Sequence, residues 1–224
     1  MSLQLERIDA VLFDLDGTLL DSAPDLASAA NQLRLARGMQ ALPHARYRPF
    51  VGTGARGMLR IALDIAPDAP HFEQLKEEFF TAYEQCMGQH SQLFDGVPRL
   101  LQVLQAHSKK WGIVTNKSER FTLPIVGSLN ALAASGAVIC GDTTAHAKPH
   151  PAPLLEAAKR LGVHPERCIY VGDDERDMVA ARAAGMQAVA AAYGYLGGVD
   201  SVTAWSPDAI IKSPVELMQL LQID

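Results

Sequence analysis

Five short apolar runs, Ala10–Phe13, Trp111–Val114, Ala137–Cys140, Cys168–Val171 and Met186–Ala192, limit most sharply what this chain can become. Each is too short for a buried helix and lacks the polar alternation of a half-exposed strand, so each reads as a strand covered on both faces. Between them lie helical patterns. Val97 to His107 carries Leu100, Leu101 and Leu104 on one face, Pro151 to Leu161 follows, and Glu175 to Ala184 is closed by Gly185. Strand alternating with helix predicts a doubly wound, Rossmann-like α/β fold: a parallel sheet with right-handed crossovers and helices on both faces. In such a sheet ligands bind beyond the carboxyl ends of the strands.

The alternation stops between Leu20 and about Gln92. Leu26, Ala30, Leu33 and Arg37 recur at helical spacing, as do Phe72, Leu75, Phe79 and Cys86. The expected organisation is a core of residues 1–19 and 92–224, with a helical cap domain of residues 20–91 inserted after the first strand. A length of 224 residues at 48% hydrophobic content suffices for one core plus a small accessory unit.

The net charge of −5 offers no footprint for nucleic acid or an anionic membrane, so neither is expected as a partner. Three widely spaced cysteines without a C-x-x-C argue against a disulfide framework or a zinc site. The residues from Met1 to Asp9 lack the pattern of a secretion signal, and Pro124, Gly127, Asn130 and Gly136 break the uncharged stretch from Phe121 to Cys140. The expectation is a cytoplasmic monomer or homodimer acting on a small metabolite.

Chemistry concentrates where the strands end. The first runs into Asp14-Leu15-Asp16-Gly17-Thr18, two carboxylates at a glycine turn, where repelling charges call for a positive partner. The second delivers Thr115-Asn116-Lys117, a hydroxyl and amides suited to phosphate oxygens. Lys148 follows the third, between His146 and His150. The fourth delivers Gly172-Asp173-Asp174-Glu175-Arg176-Asp177, a second acidic cluster that opens a helix. Any one of these has an ordinary explanation as a cap or solvated charge. Together they set acids, a hydroxyl and a lysine along one edge of one sheet.

With these motifs in this order, the chain resembles the haloacid dehalogenase-like phosphohydrolases, in particular the capped phosphoglycolate phosphatase group. The family's D-x-D-G-T is similar to Asp14 to Thr18, its strand-end Ser or Thr to Thr115, its lysine to Lys148, and its G-D-x-x-x-D to Gly172 to Asp177. The resemblance implies a magnesium-dependent phosphatase in which Asp14 is the nucleophile and forms an aspartyl phosphate. Asp16 would be the acid and base that protonates the leaving oxygen and then deprotonates water. Mg2+ would be held by Asp14, Asp173 and the backbone carbonyl of Asp16, an all-oxygen set suited to a hard ion. Thr115, Asn116 and Lys148 would bind the phosphate oxygens. Asp177 would sit in the second shell of the metal or bond to Lys148, and Asp174 would cap the helix.

Gly52-Thr53-Gly54-Ala55-Arg56-Gly57 fits a dinucleotide fingerprint, but no strand leads into it. It reads instead as a cap loop that brings Arg56 to a substrate carboxylate, or as a plain inter-helix turn with a solvated arginine. The histidines show no paired ligand spacing, and His146 and His150 read as loop residues. Tyr193, Tyr195 and Trp205 read as packing for the last part of the core, with Tyr193-Gly194-Tyr195 near the rim.

The substrate the resemblance favours is 2-phosphoglycolate. N-acetylmuramic acid 6-phosphate is the alternative, because the strand-end segments resemble that group as well, and a phosphoglucomutase-type isomerase shares the core. A receiver domain is disfavoured by motif order, since it carries its acidic pair on the first strand and its acceptor aspartate on the third.

Overall fold

The structure is a computed structural model and describes residues 8–198 and 202–223. Residues 1–7, on which the absence of a secretion signal was mainly read, lie outside the described residues. The chain divides into two compact units, Asp21–Gln92 and the remainder.

The larger unit is built on β1 (Ala10–Phe13), β4 (Lys110–Val114), β5 (Val138–Ile139), β6 (Cys168–Gly172), β7 (Gln187–Ala191) and β8 (Ala209–Ile211). They form one sheet in the order β5-β4-β1-β6-β7-β8, with every pairing parallel. The expected doubly wound α/β fold is the fold observed. Its helices are α4 (Val97–Ala106), α5 (Glu119–Ser128), α6 (Ala152–Leu161), α7 (Glu175–Ala183) and α8 (Pro214–Leu221).

All four residues of β1 are buried, as a central strand with helices on both faces requires. Chain order reverses at β1, which has β4 on one side and β6 on the other, so the crevice for a ligand opens at its carboxyl end. Phe13 is in register with both Ile113 and Val171, which brings Asp14 level with Val114 and Gly172. One side of the sheet is filled by Leu12, Val114, Ile139, Leu154, Tyr170 and Met178. Alanines dominate where β7 meets α7: Ala188 and Ala190 share that cluster with Ala180 and Ala181.

β8 was not among the expected strands. It has three residues, only Ile211 of them buried, and Pro207 stands just before it. Asp208 sets its register instead, donating its N–H to the Ala188 carbonyl and accepting the Ala188 N–H, each at 2.8 Å. Two-residue strands β2 (Leu20–Asp21) and β3 (Gln92–Leu93) pair where the chain crosses between units.

The smaller unit holds α1 (Ala23–Leu35), α2 (Gly54–Leu63) and α3 (Phe72–Cys86). Asp25, in the first turn of α1, is fully buried. It accepts bonds from the backbone N–H groups of Gly88 (2.8 Å), His90 (2.9 Å) and Ser91 (3.1 Å) and from the Ser91 hydroxyl (2.5 Å). Asn31 mimics a backbone pair for Leu42, donating to its carbonyl and accepting its N–H, each at 2.9 Å.

The glycine-flanked segment expected to be a loop carrying Arg56 is a correction. A 3-10 stretch, Arg48–Thr53, runs directly into α2, and Arg56 lies exposed in the first turn of that helix. Gly54, at φ +62°, makes the bend between the two. Gly57, inside the helix, has to be glycine because a Cβ there would lie 1.8 Å from Thr53 Oγ1 and 2.9 Å from the Phe50 carbonyl oxygen. Met58, Leu59 and Ala62 then bury the inner face of the helix.

Candidate active site

Asp14 leaves β1 with its backbone N–H on the Val171 carbonyl at 2.9 Å, so its direction is fixed by the sheet itself. Gly17 follows at φ +87°, a conformation that favours glycine, and any Cβ at this position would lie 2.1 Å from Asp173 Oδ2. Gly194 packs against the same residue, where a Cβ would lie 2.3 Å from Asp173 Cβ and 2.5 Å from its Oδ2. Backbone is therefore packed directly against Asp173, whose oxygens accept the Thr18 hydroxyl at 3.1 Å and the Tyr195 N–H at 2.7 Å.

Lys148 is the hub. Its ammonium, almost wholly buried, lies 3.0 Å from Asp14, 2.8 Å from Asp177, 3.0 Å from the Val114 carbonyl and 2.7 Å from the Tyr170 hydroxyl. Three N–H donors thus serve four acceptors. Burial pulls the ammonium's pKa down, but Asp14 and Asp177 outweigh it and the net direction is upward.

Asp177 bonds to Lys148 and, with Asp14 and Asp173, also belongs to the acidic cluster that could hold a metal. Its other oxygen accepts the Asp174 N–H at 3.1 Å and Asp174 accepts the Arg176 N–H at 2.9 Å, a reciprocal cap that starts α7. Asp174 is the helix cap that the sequence suggested.

Carboxylate oxygens of Asp14, Asp173 and Asp177 all lie within 4.8 Å of one another. Burial, together with the neighbouring acids Asp177 and Asp16, raises the pKa of Asp14 to about 7 despite Lys148. Asp173 is raised well above the carboxylate range by burial and by Asp14 and Asp177. Three clustered carboxylates with one ammonium, which touches two of them, leave two negative charges uncompensated, which the site meets by holding protons or by taking a divalent cation. An all-oxygen donor set with a charge deficit of two fits a hard divalent ion.

The Asp16 carboxylate is not part of that cluster. Both its oxygens are held by the Lys117 ammonium, at 3.1 and 3.0 Å. Thr115 is buried, and its hydroxyl accepts the Lys117 N–H at 3.2 Å.

The Asn116 side chain is engaged within the protein. Its Oδ1 accepts the Lys148 N–H and its Nδ2 donates to the Lys148 carbonyl, each at 2.9 Å. The amide clamps the lysine's main chain, because β4 and the Lys148 loop emerge side by side.

Sequence reasoning missed Tyr170, Lys117 and Thr18. Tyr170 read as one more apolar core residue, yet its hydroxyl donates to the Val114 carbonyl at 2.8 Å and accepts from Lys148. Lys117 stood in the strand-end motif and received no role. Tyr195 and Trp205 are buried in the core, and the Tyr193 hydroxyl reaches the Thr18 carbonyl at 3.0 Å, at the rim. His146 and His150 are exposed loop residues with rings 4.4 Å apart.

Comparison with known proteins agrees with this geometry. The family model for haloacid dehalogenase-like hydrolases matches residues 11–191. A phosphoglycolate phosphatase of Xanthomonas campestris pv. campestris (strain 8004) is 48% identical over 210 residues, covering 94% of this chain and 95% of that protein. An N-acetylmuramic acid 6-phosphate phosphatase of Pseudomonas aeruginosa is 39% identical over 215 residues, covering 96% and 95%. Among solved structures, a "predicted phosphoglycolate phosphatase" from Haemophilus somnus 129pt superposes with a TM-score of 0.85 at 27% identity, covering 96% of this chain and 98% of that one. The chain belongs to the haloacid dehalogenase-like hydrolases, and its curated relatives put it among the phosphoric monoester hydrolases. No helix among the described residues is long and apolar enough to cross a membrane.

Proposed function

We propose that the protein is a magnesium-dependent phosphatase whose substrate is 2-phosphoglycolate, working through an aspartyl phosphate on Asp14. The observation that carries this reading is the strand-end cluster: a carboxylate aimed by β1, a buried ammonium beside it, and a charge deficit that a divalent ion would fill. The 48% identical phosphoglycolate phosphatase supports the choice of substrate.

Asp14 would attack phosphorus in line as its bond to the leaving oxygen breaks, and Asp16 would give that oxygen a proton. In the second step Asp16 would take a proton from water as the water attacks phosphorus, releasing phosphate and restoring Asp14. Attack needs an ionised Asp14, which its raised pKa opposes in the metal-free site. Lys148 therefore has two tasks, holding Asp14 ionised and neutralising phosphate oxygens. Mg2+, when bound by Asp14, Asp173 and the Asp16 carbonyl, would supply the remaining positive charge for the phosphoryl group. Asp177 positions Lys148. Thr115 would contact phosphate through its hydroxyl, and Asn116 would act mainly by fixing Lys148.

The helical unit takes the part of a substrate cap in this reading, with Arg56 as its anion contact. The 39% identical relative keeps N-acetylmuramic acid 6-phosphate as a second candidate substrate. Turnover of both esters by the Mg2+-loaded protein, measured as released phosphate, tests the proposal. Turnover of 2-phosphoglycolate with the higher kcat/KM is expected; no turnover of it would overturn the substrate assignment.

A further inference from the structure

Lys117 is a strand-end cation that the proposed mechanism leaves without a task, and its neighbours fix its position. Its backbone is held on both sides: the N–H donates to Thr115 Oγ1 at 3.2 Å, and the carbonyl accepts the Gly141 N–H at 2.9 Å and the Thr122 hydroxyl at 3.2 Å. From that anchor the ammonium reaches both oxygens of Asp16. The two side chains are only 9% and 14% exposed, so this pair is shielded far more than an ordinary surface ion pair.

Asp16 acts on the leaving oxygen in the proposed function, on which this inference rests. Whatever substituent the leaving carbon carries must therefore lie next to Asp16, and next to the ammonium that holds it. We infer that Lys117 determines specificity by binding a carboxylate attached to the carbon that bears the leaving oxygen.

The chemistry of the pair favours this over a purely structural role. In this arrangement both Asp16 oxygens face the Lys117 ammonium rather than a leaving oxygen. A substrate carboxylate offers Lys117 an equivalent partner, so the ammonium exchanges one carboxylate for another and Asp16 is released to the leaving oxygen. A neutral substituent offers no such exchange, and moving Lys117 off Asp16 would then break a shielded ion pair with no opposite charge from the substrate in return. 2-Phosphoglycolate carries its acid at the required place. In N-acetylmuramic acid 6-phosphate the acid is on a lactyl ether across the sugar ring from the leaving oxygen, beyond the reach of Lys117 in the same complex. The core therefore selects for a short 2-phosphooxy acid, before any contribution from the helical unit.

The test compares 2-phosphoglycolate with 2-hydroxyethyl phosphate, which has the same frame with an alcohol in place of the acid, on Mg2+-loaded wild type, Lys117→Met and Lys117→Arg. The quantity read is the ratio of the two kcat/KM values. Loss of folded protein or general damage to the site scales both numbers alike and cancels. Wild type should prefer the acid, Lys117→Met should lower the ratio roughly 10- to 100-fold, the scale of one charged hydrogen-bonded contact, and Lys117→Arg should keep most of it. A wild-type preference that survives in Lys117→Met overturns the inference and leaves the proposed substrate standing. Turnover of the acid without preference over the alcohol also overturns it. Absence of turnover of the acid altogether overturns the proposed substrate as well.

Discussion

Asp25 in the helical unit and Asp173 in the core are both buried carboxylates, 0% and 4% exposed, yet they are satisfied in opposite ways. Asp25 is met by four protein donors, three of them backbone N–H groups, with no charge partner needed to explain its burial. Asp173 receives two donors and faces two other acids, and its pKa is driven up. A buried acid fully bonded by its own chain is a structural fastener, whereas acids held short of partners against the cost of their burial are reserved for something that arrives from solution.

The largest effect that could break this contrast is at the nucleophile. Asp14→Asn should lower turnover by several orders of magnitude, because an amide cannot form the acyl phosphate, while the metal-free fold should be no less stable. A variant keeping a tenth of the wild-type rate in steady-state assays would remove Asp14 from that role.

Removing the metal should come next. Chelation should abolish turnover, Mg2+ should restore it, and excess Ca2+ should inhibit, since its larger and looser coordination misplaces Asp14. Metal-free protein should also respond to pH in a definite direction. The folded pKa of Asp14 is about 7 against 3.8 for the free group, so the folded state binds the extra proton between those values. Stability contributed by that proton is full below about pH 4 and is lost as pH rises towards 7. Thermal melts should show Mg2+ stabilising the protein more at pH 8 than at pH 6, where protons compete for the same oxygens. Equal stabilisation at both values would count against the acidic cluster as the metal site.

Asp25→Ala should act on stability alone. Leaving the three N–H groups that converge on Asp25 without their acceptor should cost about 3 kcal/mol in denaturant unfolding, with no change in the metal dependence of the remaining folded protein. A shift in metal dependence would mean that the two buried acids are not as different as their donors imply. The smallest effect is expected at Arg56. Arg56→Ala should lower kcat/KM for 2-phosphoglycolate by about 2 kcal/mol in activation free energy, the upper range of a single charged contact. A smaller loss is expected for an uncharged aryl phosphate, and equal losses would mean that Arg56 serves general closure.

What could be read from sequence divides along the same line. β1, β4 and β6 were legible because they are continuous apolar runs that stop at acids or hydroxyls, and their shared parallel register then brings the motifs together. Lys148 and Asp173 stood out by their strand-end positions, and the family resemblance supplied the roles expected of them. α2 was obscured because Gly54 and Gly57 resemble loop composition, although one makes a bend and the other is demanded by Thr53 in the preceding turn. β8 is too short to show a period, and its register comes from the Asp208 bonds to Ala188 rather than from its own residues. Tyr170 and Lys117 were hidden for a different reason: an aromatic in a strand reads as core and a lysine in a loop as solvated, and only distances show otherwise. Asn116 was noticed, but its partner lay 32 residues away in the chain.

That last pairing bears on how the protein tolerates rebuilding. The two bonds from Asn116 fix the Lys148 main chain directly to the end of β4, so the lysine's address does not depend on the path taken by the residues in between. An insertion between Ala133 and Ala134, both exposed on the segment joining α5 to β5, should leave Lys148 in place. A change at Asn116 should loosen that link even if every intervening residue is kept, making this one amide the joint between a strand end and the lysine beside it.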